Sequence, residues 1–114
     1  MNQNSKSTGL KTTDDLARMI DAHKDETART LLRHAMGAAR EYENVQANLA
    51  SVMEYCRRQL EHALRELNEE GRVPNSLGVL QGNGVEVDRL CGELSRTRQA
   101  AEAAQELLTT LGIN

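Results

Sequence analysis

A long segment without helix-breaking residues is the feature that most restricts how this chain can fold. Between Asp14 and Glu70 there is no proline and a single glycine, Gly37. Because proline and glycine are the least favourable residues in a helix interior, this segment can form one helix or two helices in series. The chain is also rich in Ala, Leu, Glu and Arg and has no Trp or Phe, which is typical of helices rather than sheets. We therefore predict an all-α fold.

An apolar stripe runs along this segment. At 100° per residue its apolar side chains fall within about 80° of the helix circumference, and the stripe keeps its phase across Gly37. A helix is predicted over 14–70, either continuous or broken near residue 37. The stripe consists of Leu16, Ile20, Leu31, Ala38, Tyr42, Val45, Leu49, Val52, Cys56, Leu60, Ala63 and Leu67.

The polar segment over residues 1–12 is predicted to be a disordered arm that precedes a single helical domain over 13–114. Thr13, followed by Asp14 and Asp15, is expected to be the N-cap of the first helix, with acidic residues in its first turn. The first residues contain no apolar core region of a secretory signal, and no apolar run approaches membrane-spanning length. These features, with a net charge of −3, predict a small acidic protein of the cytoplasm.

A second helix is predicted over 84–111 from a heptad repeat. Two seams recur every seven residues, a pattern typical of a coiled coil with a partner helix. Gly112 is expected to end this helix as a C-cap glycine. The seams are Val87, Leu94, Ala101 and Leu108, and Leu90, Thr97, Ala104 and Leu111.

The segment GRVPNSLGVLQGNG, residues 71–84, holds the only proline and four of the eight glycines. It lacks the Gly-Lys-Ser/Thr ending of a phosphate-binding loop, and no predicted strand precedes it, so we interpret 71–83 as the connection of a helical hairpin. In this antiparallel, coiled-coil-like hairpin, 43–70 packs against 84–111. The expected pairs are Leu67 with Val87, Leu60 with Leu94, Met53 with Ala101, and Val45 with Leu108.

The N-terminal part of the long helix has a wider apolar face, formed by Leu32, Met36 and Ala39. A wide face usually contacts two neighbours, so this part either completes a three-helix bundle or pairs with a second copy of the chain. Continuity of the stripe across Gly37 favours the homodimer. These three residues, with the loop residues Leu77, Val79 and Leu80, are the predicted protein-binding surface.

Four arginines form a row on the opposite face of the same helix. At 100° per residue they fall within about 60°, so they could contact the phosphates of a nucleic acid or an acidic protein. A solvated outer face is the alternative interpretation, and Asp25 lies among the arginines. The row consists of Arg18, Arg29, Arg33 and Arg40.

No pattern indicates an enzyme, a cofactor or a metal site. Cys56 and Cys91 would be offset by about 10 Å along the predicted hairpin, so both are expected to be free, buried thiols. His62 with Glu66 could supply half of a metal site, but no second pair faces them in the predicted hairpin, and the histidines are expected to be solvated.

The segment LQGNGVEVDRL, residues 80–90, resembles the loop and helix start of the WXG100 family of small secreted helical hairpins. Leu80 stands at the family's tryptophan position and Gly82 at its glycine. This resemblance implies export of a hairpin dimer.

The sequence thus indicates three candidate functions. The first is a non-catalytic helical interaction protein, such as an adaptor, chaperone, inhibitor or assembly subunit. The second is a nucleic-acid-associated accessory protein that uses the arginine row, and the third is the exported hairpin.

Overall fold

The described part of the chain consists of three α-helices joined by short connections. The computed structural model describes residues 9–75 and 77–114, with the backbone alone for Leu77. Helix α1 spans Thr13–Ala22, α2 spans Glu26–Arg65 and continues as a π-helical turn over Glu66–Glu70, and α3 spans Leu77–Thr110. No strand occurs among the described residues. The all-α fold predicted from the sequence is confirmed, and no helix in the described part is long and apolar enough to cross a membrane.

Helix α1 begins at a capping box. Thr12, one residue before the predicted Thr13, is the N-cap, because its hydroxyl accepts from Asp15 N while Asp15 Oδ2 accepts from Thr12 N at 3.0 Å. Thr13 instead donates through its backbone N and its hydroxyl to Glu43 on α2, at 2.9 and 2.8 Å. Of the predicted disordered arm, residues 1–8 lie outside the described residues. Lys11 is already held in place, since its N–H and C=O bond the amide of Gln105.

The long helix is interrupted at residues 23–25 and is continuous at Gly37. Asp25 acts as the N-cap of α2: its Oδ2 accepts from Ala28 N at 2.9 Å, and its carbonyl accepts from Arg29 N at 3.0 Å. His23, which follows α1, has an extended backbone with φ −98° and ψ 138°. The sequence signal for this interruption is therefore Asp25, which stands three residues before Ala28, the first buried alanine of α2.

The helices divide the described chain into two units. The first, called the terminal bundle, comprises 9–44 and 94–114, and the second, called the hairpin unit, comprises Val45–Glu93. Helices α2 and α3 each contribute one part to both units.

The terminal bundle is a three-helix bundle. Thr13 at the start of α1 bonds Glu43, while Arg29 near the start of α2 bonds the carbonyls at the end of α1, so α1 and α2 are antiparallel. Lys11 bonds Gln105, and His23 lies 3.0 Å from the main-chain oxygen of Asn114, so α3 runs parallel to α1. Each helix contributes to one core, which consists of Leu16, Ile20, Leu32, Ala35, Ala39, Ala104 and Leu108.

Helix α3 starts at Leu77, so the connection after Gly71 is shorter than the predicted loop over 71–83. Gly78, Gly82 and Gly84 are helical and have no positive φ. Glycine costs only about 1 kcal/mol relative to alanine in a helix, and no proline follows Pro74 to prevent helix propagation. The earlier start changes the helix register. Leu108, which the sequence paired with Val45, belongs to the core cluster that contains Leu32, Ala35 and Ala39.

The end of α3 follows the prediction. Gly112 has a φ of 75°, its N–H bonds Thr109 O, and Ile113 N bonds Leu108 O, which together form a Schellman motif. Ile113 packs against the core that contains Leu108, as this motif requires. Leu111, predicted to lie in a seam, is 54% exposed.

Replacing Leu32 with alanine should lower the free energy of unfolding by about 2–5 kcal/mol, because the side chain is fully buried among three helices. The matched control is Leu107→Ala in the same bundle, where the leucine is 44% exposed. The control should lose less than about 1 kcal/mol in urea unfolding followed by circular dichroism. Equal losses would contradict the core assignment.

Two glycine replacements should act in opposite directions. Gly84→Ala should raise the unfolding free energy by up to about 1 kcal/mol, since the position is helical and a Cβ there meets nothing within 4 Å. Gly112→Ala should lower it by about 1–2 kcal/mol because φ is +75°. Thermal unfolding of the two variants measures both shifts, and a destabilised Gly84→Ala would contradict the helical start of α3.

Candidate interaction surface on the hairpin unit

Four large apolar side chains of the hairpin unit are half exposed. They are called the apolar strip: Met53 is 55% exposed, Leu60 51%, Leu64 49% and Leu67 51%. The sequence prediction placed Met53, Leu60 and Leu67 in the hairpin seam, and their exposure shows that this assignment was wrong. Four half-exposed side chains of this size present on the order of 400 Å² of surface, within the size range of the largest, often functional, apolar patches on monomers.

Helix periodicity explains how the strip forms. Met53, Leu60 and Leu64 fall within about 40° of the α2 circumference, and Leu67 follows Leu60 by one heptad. Ala63, in contrast, is 4% exposed, so it lies on the side of α2 that is covered within the unit. The apolar arc of α2 is therefore wider than the part that the hairpin buries.

The hairpin unit buries little apolar surface. Among its described residues, Val45, Ala63 and Leu90 are the buried apolar side chains. Covering the strip would bring roughly 10 kcal/mol of gross hydrophobic stabilisation at about 25 cal/mol per Å². The exposed large apolar residues of this unit outnumber the buried ones and consist of Met53, Tyr55, Leu60, Leu64, Leu67, Val73, Val79 and Val85.

Charged side chains flank the strip on one side. Arg57 donates to Glu54 and to Glu61 and so links three successive turns of α2. The hydrogen bonds from Arg57 hold the pKa of the Glu54 carboxyl below its ordinary value. The strip is thus bordered on this side by paired charges of both signs, as at the polar rim of a protein interface.

A buried glutamate fixes the connection after the π-helical turn. The side chain of Glu66 is 6% exposed, and its Oε2 accepts from Arg72 Nη2 at 2.9 Å. Arg72 also contacts Glu70 at 2.9 Å, and Gly71 between them has a φ of 65°, a conformation that favours glycine. Glu66 Oε1 accepts no hydrogen bond from the described residues, and His62 Nε2 lies 3.7 Å from it. Burying a charge is costly unless it is paired, so Arg72 holds this end of the hairpin to α2.

The predicted loop contacts lie in the first turn of α3. Val79 is 45% exposed, Leu80 is half-buried, and the side chain of Leu77 lies outside the described part of the chain. Val73, in the connection itself, is 77% exposed. Val79 and Val73 therefore add apolar surface at the tip of the hairpin unit.

The other predicted protein-binding residues belong to the core of the terminal bundle. Leu32 is fully buried, Ala39 is 2% exposed, and Met36 packs against the same cluster. They are covered by the chain's own helices, because the interruption at residues 23–25 lets α1 pack on this face. Of the two arrangements that the wide face left open, the three-helix bundle is the one observed.

The arginine row is largely engaged within the terminal bundle. Arg18 pairs with Asp15, and Arg33 pairs with Glu26 at 3.3 Å. Arg29 donates to the carbonyls of Ile20 and His23, at 3.0 and 3.2 Å, so it satisfies acceptors at the end of α1. Arg40 has no ion-pair partner among the described residues. Because Arg18 lies on α1 and the other three arginines lie on α2, the row predicted on one helix is divided between two helices. It offers fewer available charges to a phosphate backbone than the sequence suggested.

Asp15, the partner of Arg18, makes the stability of the terminal bundle depend on pH. The hydrogen bond from Thr12 N–H, with contributions from the Thr12 hydroxyl and Arg18, lowers the pKa of Asp15 from its ordinary 3.8. A carboxyl with a lowered pKa stabilises the fold above its unfolded-state pKa, and this contribution is lost as the pH falls through the folded-state pKa.

Asp15→Asn should accordingly destabilise the protein at neutral pH, and its deficit relative to wild type should shrink below about pH 4. Urea unfolding of both proteins at neutral pH and below about pH 4 measures this change in the deficit. The control is Asp14→Asn, an exposed residue of the same turn, which should change the unfolding free energy by about 0.5 kcal/mol or less. A deficit for Asp15→Asn that stays constant with pH would contradict the capping role of the carboxylate.

Both cysteines are free thiols, as predicted, but Cys56 is only half-buried and Cys91 is exposed. The expectation that both are buried was wrong, because it depended on the predicted register. Within the described residues no three metal-ligating side chains lie together.

Comparison with protein-family models, curated proteins and solved structures finds no match to this chain. The segment that resembles the WXG100 family also differs from it locally. Leu80 and Gly82, expected in a loop, lie inside α3.

Proposed function

We propose that this chain is a non-catalytic helical interaction protein that binds a protein partner through the apolar strip of its hairpin unit. The observation that carries this proposal is the half exposure of Met53, Leu60 and Leu64 on one face of α2 and of Leu67 in the π-helical turn that continues it. A contiguous apolar patch rimmed by charged residues is typical of a protein-binding surface. The wide apolar face of the terminal bundle, in contrast, packs into its own core.

The partner is a protein whose contact surface is itself apolar. Such docking follows the helix-in-groove pattern, in which side chains at i, i+4 and i+7 act as anchors. Leu60, Leu64 and Leu67 have this spacing. The local ion pairs of Arg18 and Arg33 reduce the support for the nucleic-acid alternative. A cytoplasmic location belongs to the proposal, and the free thiols of Cys56 and Cys91 are compatible with a reducing compartment.

Photo-cross-linking in cells that express the chain tests the strip. Leu64 is replaced by p-benzoylphenylalanine, and the matched control carries the same group at Val85, which is 71% exposed in the same unit. We expect a discrete adduct from position 64 and little from position 85. If neither position yields an adduct, or both yield the same adducts equally, the strip is not a specific binding surface and the proposal fails.

A further inference from the structure

We infer that the apolar strip binds the same strip of a second copy of this chain, with the two α2 segments antiparallel and a two-fold axis at Leu60. This inference rests on the proposed function and names the partner of the same surface. It differs from the homodimer predicted through Leu32, Met36 and Ala39, whose side chains lie within the terminal bundle.

The spacing of the strip carries the inference. Met53 and Leu67 stand seven residues before and seven residues after Leu60, which corresponds to about 10 Å along a helix on each side. A two-fold interface uses the same patch on both subunits, so that patch must be complementary to itself. An antiparallel pair centred at Leu60 places Met53 against Leu67 twice and Leu60 against Leu60 once. Met53, Leu60 and Leu67 thus each meet a residue of the strip, while the fourth strip residue, Leu64, stands level with Cys56 of the other copy.

The exposed apolar area of the strip is large enough for the interface of such a dimer. The smaller specific interfaces bury about 600 Å² per partner, of which about 60% is apolar, or roughly 360 Å². The strip presents on the order of 400 Å² per copy. It therefore supplies the apolar part of a small interface, and the polar remainder comes from the flanking charges. Interfaces at this low end of the size range are typical of weak, reversible complexes.

The flanking charges agree with the antiparallel direction. Arg57 lies three residues before Leu60, and Glu61 lies one residue after it. Across a two-fold axis at Leu60, Arg57 of each copy stands within about 3 Å, along the axis, of the level of Glu61 of the other. The two Glu61 side chains stand equally close in level, so two attractive approaches outnumber one repulsive approach. In a parallel pair, whose two-fold axis runs along the helices, the charged flanks of the two copies would lie on opposite sides of the interface, so Arg57 of one copy and Glu61 of the other would not meet.

The first experiment is the mass of the full chain in solution, by light scattering behind a sizing column, up to about 200 µM. We expect a dimer for the wild type, a dimer for Val85→Glu, and a monomer for Leu60→Glu. Placing two glutamates at the axis should weaken association at least about 100-fold. Leu60 is 51% exposed in the protomer, so the helical circular dichroism of Leu60→Glu should match that of the wild type. A wild type that stays monomeric, or a Leu60→Glu variant that is folded and dimeric, would overturn the inference.

The second experiment tests the direction of the pair by disulfide formation in a Cys56→Ser and Cys91→Ser background. A mixture of Met53→Cys chains with Leu67→Cys chains should cross-link, while Met53→Cys alone should not, because the two copies of residue 53 are about 20 Å apart in this arrangement. Leu60→Cys alone should cross-link at the axis. Cross-linking of Met53→Cys alone, with no disulfide between residues 53 and 67 in the mixture, would indicate a parallel pair and overturn the inference.

The photo-adduct at position 64 separates this inference from the proposed function. An adduct with twice the mass of the chain supports both. An adduct to a different protein, together with a monomeric wild type, would show that the partner is not a second copy of this chain. The proposed interaction function would still hold. The lack of any adduct overturns both.

Discussion

The arrangement of the apolar surface depends on the interruption between α1 and α2. Asp25 caps α2 through Ala28 N, and Arg29 reaches back to the carbonyls of Ile20 and His23. These bonds satisfy one free N–H at the start of α2 and two carbonyls at the end of α1, which stabilises the reversal of the chain at this corner. With the reversal in place, α1 lies against α2 and supplies Leu16 and Ile20 to the core.

That reversal also decides which apolar face is available to a partner. The wide face that includes Leu32 and Ala39 is covered by α1 and α3, so it stabilises the fold. In the hairpin unit no third helix is present among the described residues, and the apolar strip on α2 stays half exposed. The three-helix unit thus contains most of the core, while the two-helix unit presents the surface from which the interaction function and its self-complementary partner are inferred.

Several elements follow from local patterns and were predicted for that reason. The helical composition, the helix end at Gly112 and the buried positions Leu90, Thr97, Ala101, Ala104 and Leu108 depend on contacts within a few residues or on heptad periodicity. The errors came where local patterns compete. The glycines before Val85 indicated a loop, yet helix propagation from Leu77 outweighed their low propensity. That shift changed the register, and with it the burial assigned to Met53, Leu60 and Leu67.

The sequence by itself determined the fold class, the two long helices and the width of the apolar arc on α2, because these depend on residue spacing along one helix. It could not decide which part of that arc is covered. Coverage depends on where α1 turns back and on the length of the connection at Pro74, and both bring together residues that are distant in the chain. Only the tertiary structure decided that Leu32 and Ala39 are core and that Leu60 and Leu64 are surface, because burial is a property of packing between helices rather than of periodicity within one.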